Sequence, residues 1–211
     1  MSAFRLTLIR HGSAEGSEHA VFGQTNAALS ASGRAQLQAR WQQLAAQPVD
    51  SIAASPLARC ADFALDAAAN LGLPLHLDRG FAEQDLGVLD GKPKAAWSTA
   101  EHVAWDAWQR DPAAHPLPGA ESWEAFAGRT LAAFTRWQDA SPDAEHRLLL
   151  AHQGTIKVLL LHAFGLPASR HSQFWLAPAG IATLWWDDPA SGWPPLLMGL
   201  DNLGLGNSQP D

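Results

Sequence analysis

Residues 4–12 read FRLTLIRHG: a run of strand-forming positions from Phe4 to Arg10, then His11 and the glycine that ends it. A short apolar strand closed by glycine is the first unit of a pattern that recurs along the chain. Ser30-x-x-Gly33 opens a helix carrying Leu37, Trp41 and Leu44 at near-helical spacing, stopped before Pro48. Residues 49–54 (VDSIAA) predict a second strand closed by Ser55-Pro56, and the alanine-rich residues 57–71 a helix terminated by Gly72. Leu75–Leu77 is a short third strand, residues 121–137 a helix, and residues 147–151 (RLLLA) a buried fourth strand. A helix over 154–164 follows, then Ile181–Trp186 and residues 196–200 as a hairpin at one sheet edge. Unbroken apolar strands alternating with helices imply an α/β fold of three layers, α/β/α, around a mostly parallel central sheet.

Residues from about 84 to 119 lose this periodicity, with Gly87, Gly91, Pro93, Pro112, Pro116, Pro118 and Gly119 around a short Trp-rich helix. They are expected to form a lid insertion, too short for a core of its own, within a single domain over residues 1–200. The polar, Gly-rich residues 201–211 are expected to be loosely held.

Composition narrows the function. The 211 residues are 47% hydrophobic and 17% charged, with a net charge of −7. That excludes global disorder and disfavours nucleic acid or an anionic membrane as partner. No apolar run reaches the roughly 18 to 20 residues that span a bilayer. Arg5 and Arg10 interrupt the apolar start, which does not read as a signal peptide. The single cysteine, Cys60, excludes an internal disulfide and a multi-Cys zinc site, and reads as a small buried hydrophobe. A cytoplasmic protein without metal or cofactor is the expectation; nothing in the pattern decides the oligomeric state.

In a parallel sheet, ligands gather at the carboxyl ends of strands. Arg10-His11-Gly12 follows the first strand, Ser55-Pro56-Leu57-Ala58-Arg59 the second, and His152-Gln153-Gly154 the fourth. Two histidines and two arginines thus meet at one rim. Arginine forks bind phosphate oxygens, a neutral imidazole is a competent nucleophile, and a second, protonated histidine would add positive charge. Gly12 and Gly154 would let backbone approach the ligand, and N–H groups at the helix start after His152 would favour an anion. A leaving alcohol needs a proton donor. Glu83 is the first candidate for that role, with Asp85 and Asp90 as competitors.

LIRHG, ASPLARCADFA, EQDLGVLDG, GAES and LLAHQGTIKVLL, in that order, resemble the histidine phosphatase superfamily, with its phosphoglycerate mutase-like fold, over about residues 4–186. The chain is similar in particular to small bacterial phosphatases such as alpha-ribazole phosphatases. The resemblance implies a phosphohistidine mechanism: nucleophile on His11, pocket arginines on Arg10 and Arg59, second histidine on His152, proton donor on Glu83. Many members continue the first motif as RHG-E-T-x-x-N. Here Ser13-Ala14-Glu15-Gly16-Ser17 follows, so the pocket hydroxyl and amide are missing at Ala14 and Ser17. Ser13 and the Gly23-Gln24-Thr25 segment are candidates to replace them, and Gln153 joins Gly12 in the phosphate-binding set. The implied activity is a metal-independent phosphomonoesterase acting on a small phosphorylated metabolite. A mutase-type phosphotransferase and a noncatalytic phosphate-binding module are the alternatives. Trp97, Trp105 and Trp108 are candidates for an apolar pocket wall, His171 for an approach to the site, and Glu121-Ser122 for a helix start.

Overall fold

The structure, a computed structural model, describes residues 2–44, 47–187 and 189–202. Six strands, β1 (Phe4–Arg10), β2 (Ser51–Ala54), β3 (Leu75–Leu77), β4 (His146–Ala151), β5 (Ile181–Trp186) and β6 (Leu196–Asp201), form one sheet in the order β3-β2-β4-β1-β5-β6. β1 to β4 are mutually parallel, and β5 and β6 add on antiparallel as the hairpin expected at the edge.

Strand alternation sorts the apolar side chains onto two faces. Leu6, Leu8, Leu149 and Ala151 point to a cluster with Phe81, Phe134, Trp137, Ile156 and Leu159. Helices α4 (Trp123–Ala140) and α5 (Gln153–Ala163) cover this face. Ile9, Ile52, Leu148 and Leu150 point the other way, to Leu37, Cys60, Phe63 and Ala67. Those come from α1 (Ala31–Leu44) and α2 (Ala58–Leu71). The result is the three-layer α/β/α arrangement with a mostly parallel sheet.

Helix ends follow local chemistry. Gly72 ends α2 in the left-handed region (φ 67°), where its N–H caps Ala68 and Ala69 carbonyls. The Ser122 hydroxyl accepts from Ala125 N–H at the start of α4, as its helix-start reading required.

Residues 84–119 differ from expectation in one respect. They close a small cluster of Leu86, Leu89, Trp97 and Leu117, packed against Trp105, Trp108 and, from the loop after β1, Val21. Indole rings supply in area what the segment lacks in length. Its helix α3 (Thr99–Arg110) starts with a reciprocal Ser98–Glu101 capping box.

Asp201 and Asn202 are firmly tied: the Asp201 carboxylate pairs with buried Arg40 at 2.9 Å, and Asn202 bonds the backbone of Ala177 and Trp175. The rest of the expected loose tail, 203–211, lies outside the described residues. No helix among the described residues is long and apolar enough to cross a membrane.

Candidate active site

The sheet register builds the site. Arg10 lies opposite Ala151, and Ala54 opposite Leu150, so β1, β2 and β4 end at the same level. The next backbone bonds extend this ladder: His11 N–H donates to Ala151 at 2.9 Å and Ser55 N–H to Leu150 at 3.1 Å. His11, Ser55 and His152 are therefore neighbours at one rim.

His11 and His152 meet edge to face, with ring centroids 5.1 Å apart. The Nδ1 of His11 lies 2.7 Å from the Gly12 carbonyl. As a donor there it leaves the Nε2 lone pair free. Burial, then the charges of Arg59 and Arg10, hold the imidazole well below its usual titration range. It is neutral at pH 7.

His152 lies between His11 and Arg59. It is fully buried, its Nδ1 accepts from Arg59 Nε at 3.2 Å, and its Nε2 lies 2.7 Å from Ser55 Oγ. Burial and then Arg59 push its pKa well down, and both ring nitrogens have protein partners. Its bond to Arg59 Nε helps to orient that guanidinium.

Arg59 is buried. Its other nitrogens donate to the carbonyls of Thr25 (2.8 Å) and Gly23 (2.6 Å). Three of its five N–H donors are thus engaged by protein acceptors. Arg10 is half-buried and donates to Leu176 O at 2.6 Å.

Glu83 sits where α5 begins, its Oε2 accepting from Gly154 N–H at 2.9 Å and its Oε1 from Gln84 N–H at 3.0 Å. One N–H of the helix start therefore holds a carboxylate of the protein. Both competitors are engaged elsewhere. The Asp90 carboxylate accepts from the backbone of Gly23, Gln24 and Thr25, and Asp85 Oδ1 accepts from Gly87 N–H at 2.8 Å.

The two glycines also serve neighbours other than a ligand. A side chain on Gly12 would strike the Gly33 backbone, and one on Gly154 would strike the Glu83 carboxylate. Ser13 turns away: its hydroxyl donates to Gln36 Oε1 at 3.3 Å on α1. Gln24 makes a long bond to the Glu83 carbonyl (3.4 Å), and Gly23 offers its carbonyl to Arg59.

A cavity of about 510 Å³ opens beside this cluster, with Arg10, Glu83 and Gln153 in its wall. Trp105 and Trp108 line it as expected, while Trp97 is buried in the neighbouring small core. Trp123, Trp175, His171 and Lys157 line it as well. Of these only His171 was anticipated.

Sequence reasoning also missed Arg129. It pairs with both Glu121 oxygens at 2.7 and 2.8 Å and donates to the carbonyls of Gly80, Ala82 and Glu83. The arginine follows Glu121 by eight residues on α4, a spacing that carries no recognisable signal by itself.

Comparison with known proteins places these residues in context. The family model described as histidine phosphatase superfamily (branch 1) matches residues 6–193. A protein of Hydrogenobacter thermophilus called "Putative phosphoserine phosphatase 2" is 31% identical over 77% of this chain and 80% of its own length. The native structure of a mycobacterial glucosyl-3-phosphoglycerate phosphatase is 26% identical over 87% of this chain and 90% of its own, with a TM-score of 0.79. An alpha-ribazole phosphatase of Shigella flexneri shares the fold, with 22% identity, a TM-score of 0.81 and coverage of 93% and 96%.

Proposed function

This chain belongs to the histidine phosphatase superfamily, and from that premise we propose that it hydrolyses a small phosphorylated metabolite through a phosphohistidine on His11, without a metal. The observation that carries the reading is His11 itself. It is a neutral imidazole, fixed through Nδ1 to a carbonyl, with Nε2 unengaged between two arginine charges.

In the first step Nε2 attacks phosphorus, and the N–P bond forms as the ester P–O bond breaks. Glu83 in its acid form gives its proton to the departing oxygen. Arg10 and Arg59 neutralise charge on the equatorial oxygens, which is the larger part of what phosphoryl transfer requires. In the second step Glu83, now a carboxylate, takes a proton from water. That water's oxygen bonds phosphorus as the N–P bond breaks, releasing inorganic phosphate and restoring His11. The phosphatase names of the relatives support this class of substrate.

Hydrolysis of p-nitrophenyl phosphate in excess EDTA tests the reading. Wild type should turn over, and His11→Ala should lose at least about a thousandfold in kcat while keeping its melting temperature within a few degrees. Activity retained by the variant, or abolished by EDTA in the wild type, overturns it.

A further inference from the structure

The cavity holds three polar side chains, Lys157, His171 and Trp108, that the phosphoryl chemistry leaves unused. Lys157 lines it from α5, one turn beyond Gly154, and its ammonium makes no hydrogen bond or ion pair with a described residue. His171 is 1% exposed, and neither ring nitrogen has a partner. The buried indole Nε1–H of Trp108 has none either. These three groups are close together: the Trp108 and His171 rings lie 5.4 Å apart, and His171 feels the charge of Lys157.

Leaving buried polar groups unpaired costs on the order of 1–3 kcal/mol each. A buried ammonium without a bonded partner is costlier still: burial, with Arg10 adding to it, draws the Lys157 pKa down to about 8 against the attraction of Glu83. Such an arrangement is balanced when a ligand brings the missing partner. The groups offer an ammonium, an indole N–H and one imidazole N–H against a single acceptor, the other imidazole nitrogen, and Asp111 is the one carboxylate that acts on His171; the balance favours an anion.

We propose that Lys157, His171 and Trp108 form a subsite for an anionic group on the leaving alcohol, a carboxylate or a second phosphate. The substrate is then a phosphomonoester whose alcohol carries its own negative charge. Its apolar body lies against Trp105, Trp123 and Trp175. This deepens the reading of the preceding subsection and rests on it.

The test compares phenyl phosphates bearing a carboxylate at the 3- or 4-position with their carboxamide isosteres, and adds the corresponding aryl bisphosphates. Wild type should favour the better anion over its carboxamide by about tenfold or more in kcat/KM, mainly through KM. Lys157→Met should bring that ratio to about three or less, Trp108→Phe should lower it about threefold, and Lys157→Arg should keep most of it. Melting temperatures check that each variant folds, and the arginine variant separates lost charge from lost packing. Carboxylate preferred over bisphosphate identifies a hydroxy- or amino-acid phosphate class; the reverse identifies a bisphosphate. A wild-type ratio near one, or a ratio untouched by Lys157→Met, overturns the subsite. If the carboxamide esters are still cleaved in a His11-dependent way, that failure leaves the phosphatase reading standing. Should no ester be hydrolysed, the phosphatase reading fails instead. Calorimetric binding of benzoate against benzamide, in wild type and Lys157→Met, then decides the subsite alone.

Discussion

Gly154 has room for a hydrogen and nothing larger, because the Glu83 carboxylate occupies the place of a Cβ. Gly154→Ala is therefore expected to push Glu83 off the start of α5. Turnover of alkyl phosphates, whose leaving oxygen needs a proton, should fall roughly 10- to 100-fold, while aryl phosphates lose much less. Steady-state kinetics on both classes checks this; equal losses would mean that Glu83 is not the donor. At this scale the sequence told one half of the story. Arg10, His11, Arg59 and His152 were legible because strand ends announce themselves in apolar runs. What Gly12, Gly154 and Ser13 do was not legible. Their partners, Gly33, Glu83 and Gln36, lie 21 to 71 residues away, and nothing local in the chain encodes that approach.

Among elements, α4 decides how Glu83, the proposed proton donor, is presented. Arg129 ties the segment from Gly80 to Glu83 to Glu121 through backbone carbonyls, and Gln84 Nε2 returns a bond to the Glu121 carbonyl at 2.8 Å. The Arg129–Glu121 pair is partly exposed, its side chains 23% and 18% accessible, so screening discounts its Coulomb share. The carbonyl bonds matter more. Arg129→Met should cost about 2 kcal/mol, a drop in Tm on the order of 5 °C, and should lower kcat more than it raises KM. Differential scanning calorimetry and kinetics read the two effects separately. Helices and strands themselves were recoverable from periodicity, down to the Gly72 stop and the edge hairpin. The small core of residues 84–119 escaped, since its apolar members are scattered among glycines and prolines and meet only in three dimensions.

For the molecule as a whole, four histidines, His11, His146, His152 and His171, are held below their usual pKa chiefly by burial. Below pH 6.5 the unfolded chain binds protons that the folded state refuses, so stability falls as pH falls. A fully buried, neutral histidine such as His152 contributes up to about 1.4 kcal/mol per pH unit in that range. Denaturant midpoints should thus fall slightly from pH 8 to 7, where the lowered Lys157 still titrates in the folded state, and decline more steeply from 6.5 towards 5. A flat profile would contradict the neutral assignment of these rings. Activity should show the opposite tolerance: the nucleophile stays unprotonated well below 6.5, so kcat/KM should have no acid limb centred on an ordinary histidine value.

The ring of indoles around the cavity has an optical consequence. The chain holds ten tryptophans and no tyrosine, so its near-ultraviolet emission arises from indole alone. Trp105 and Trp108 are stacked with centroids 4.8 Å apart, Trp97 lies 5.5 Å from Trp105, and Trp123 stacks on His171. Transition dipoles at such separations couple, giving the ensemble a split circular-dichroism band that depends on the geometry of the wall. Whatever fills the cavity changes both the polarity around these chromophores and their mutual angles. Occupancy is thereby written into the protein's own spectrum, and binding can be followed without a label.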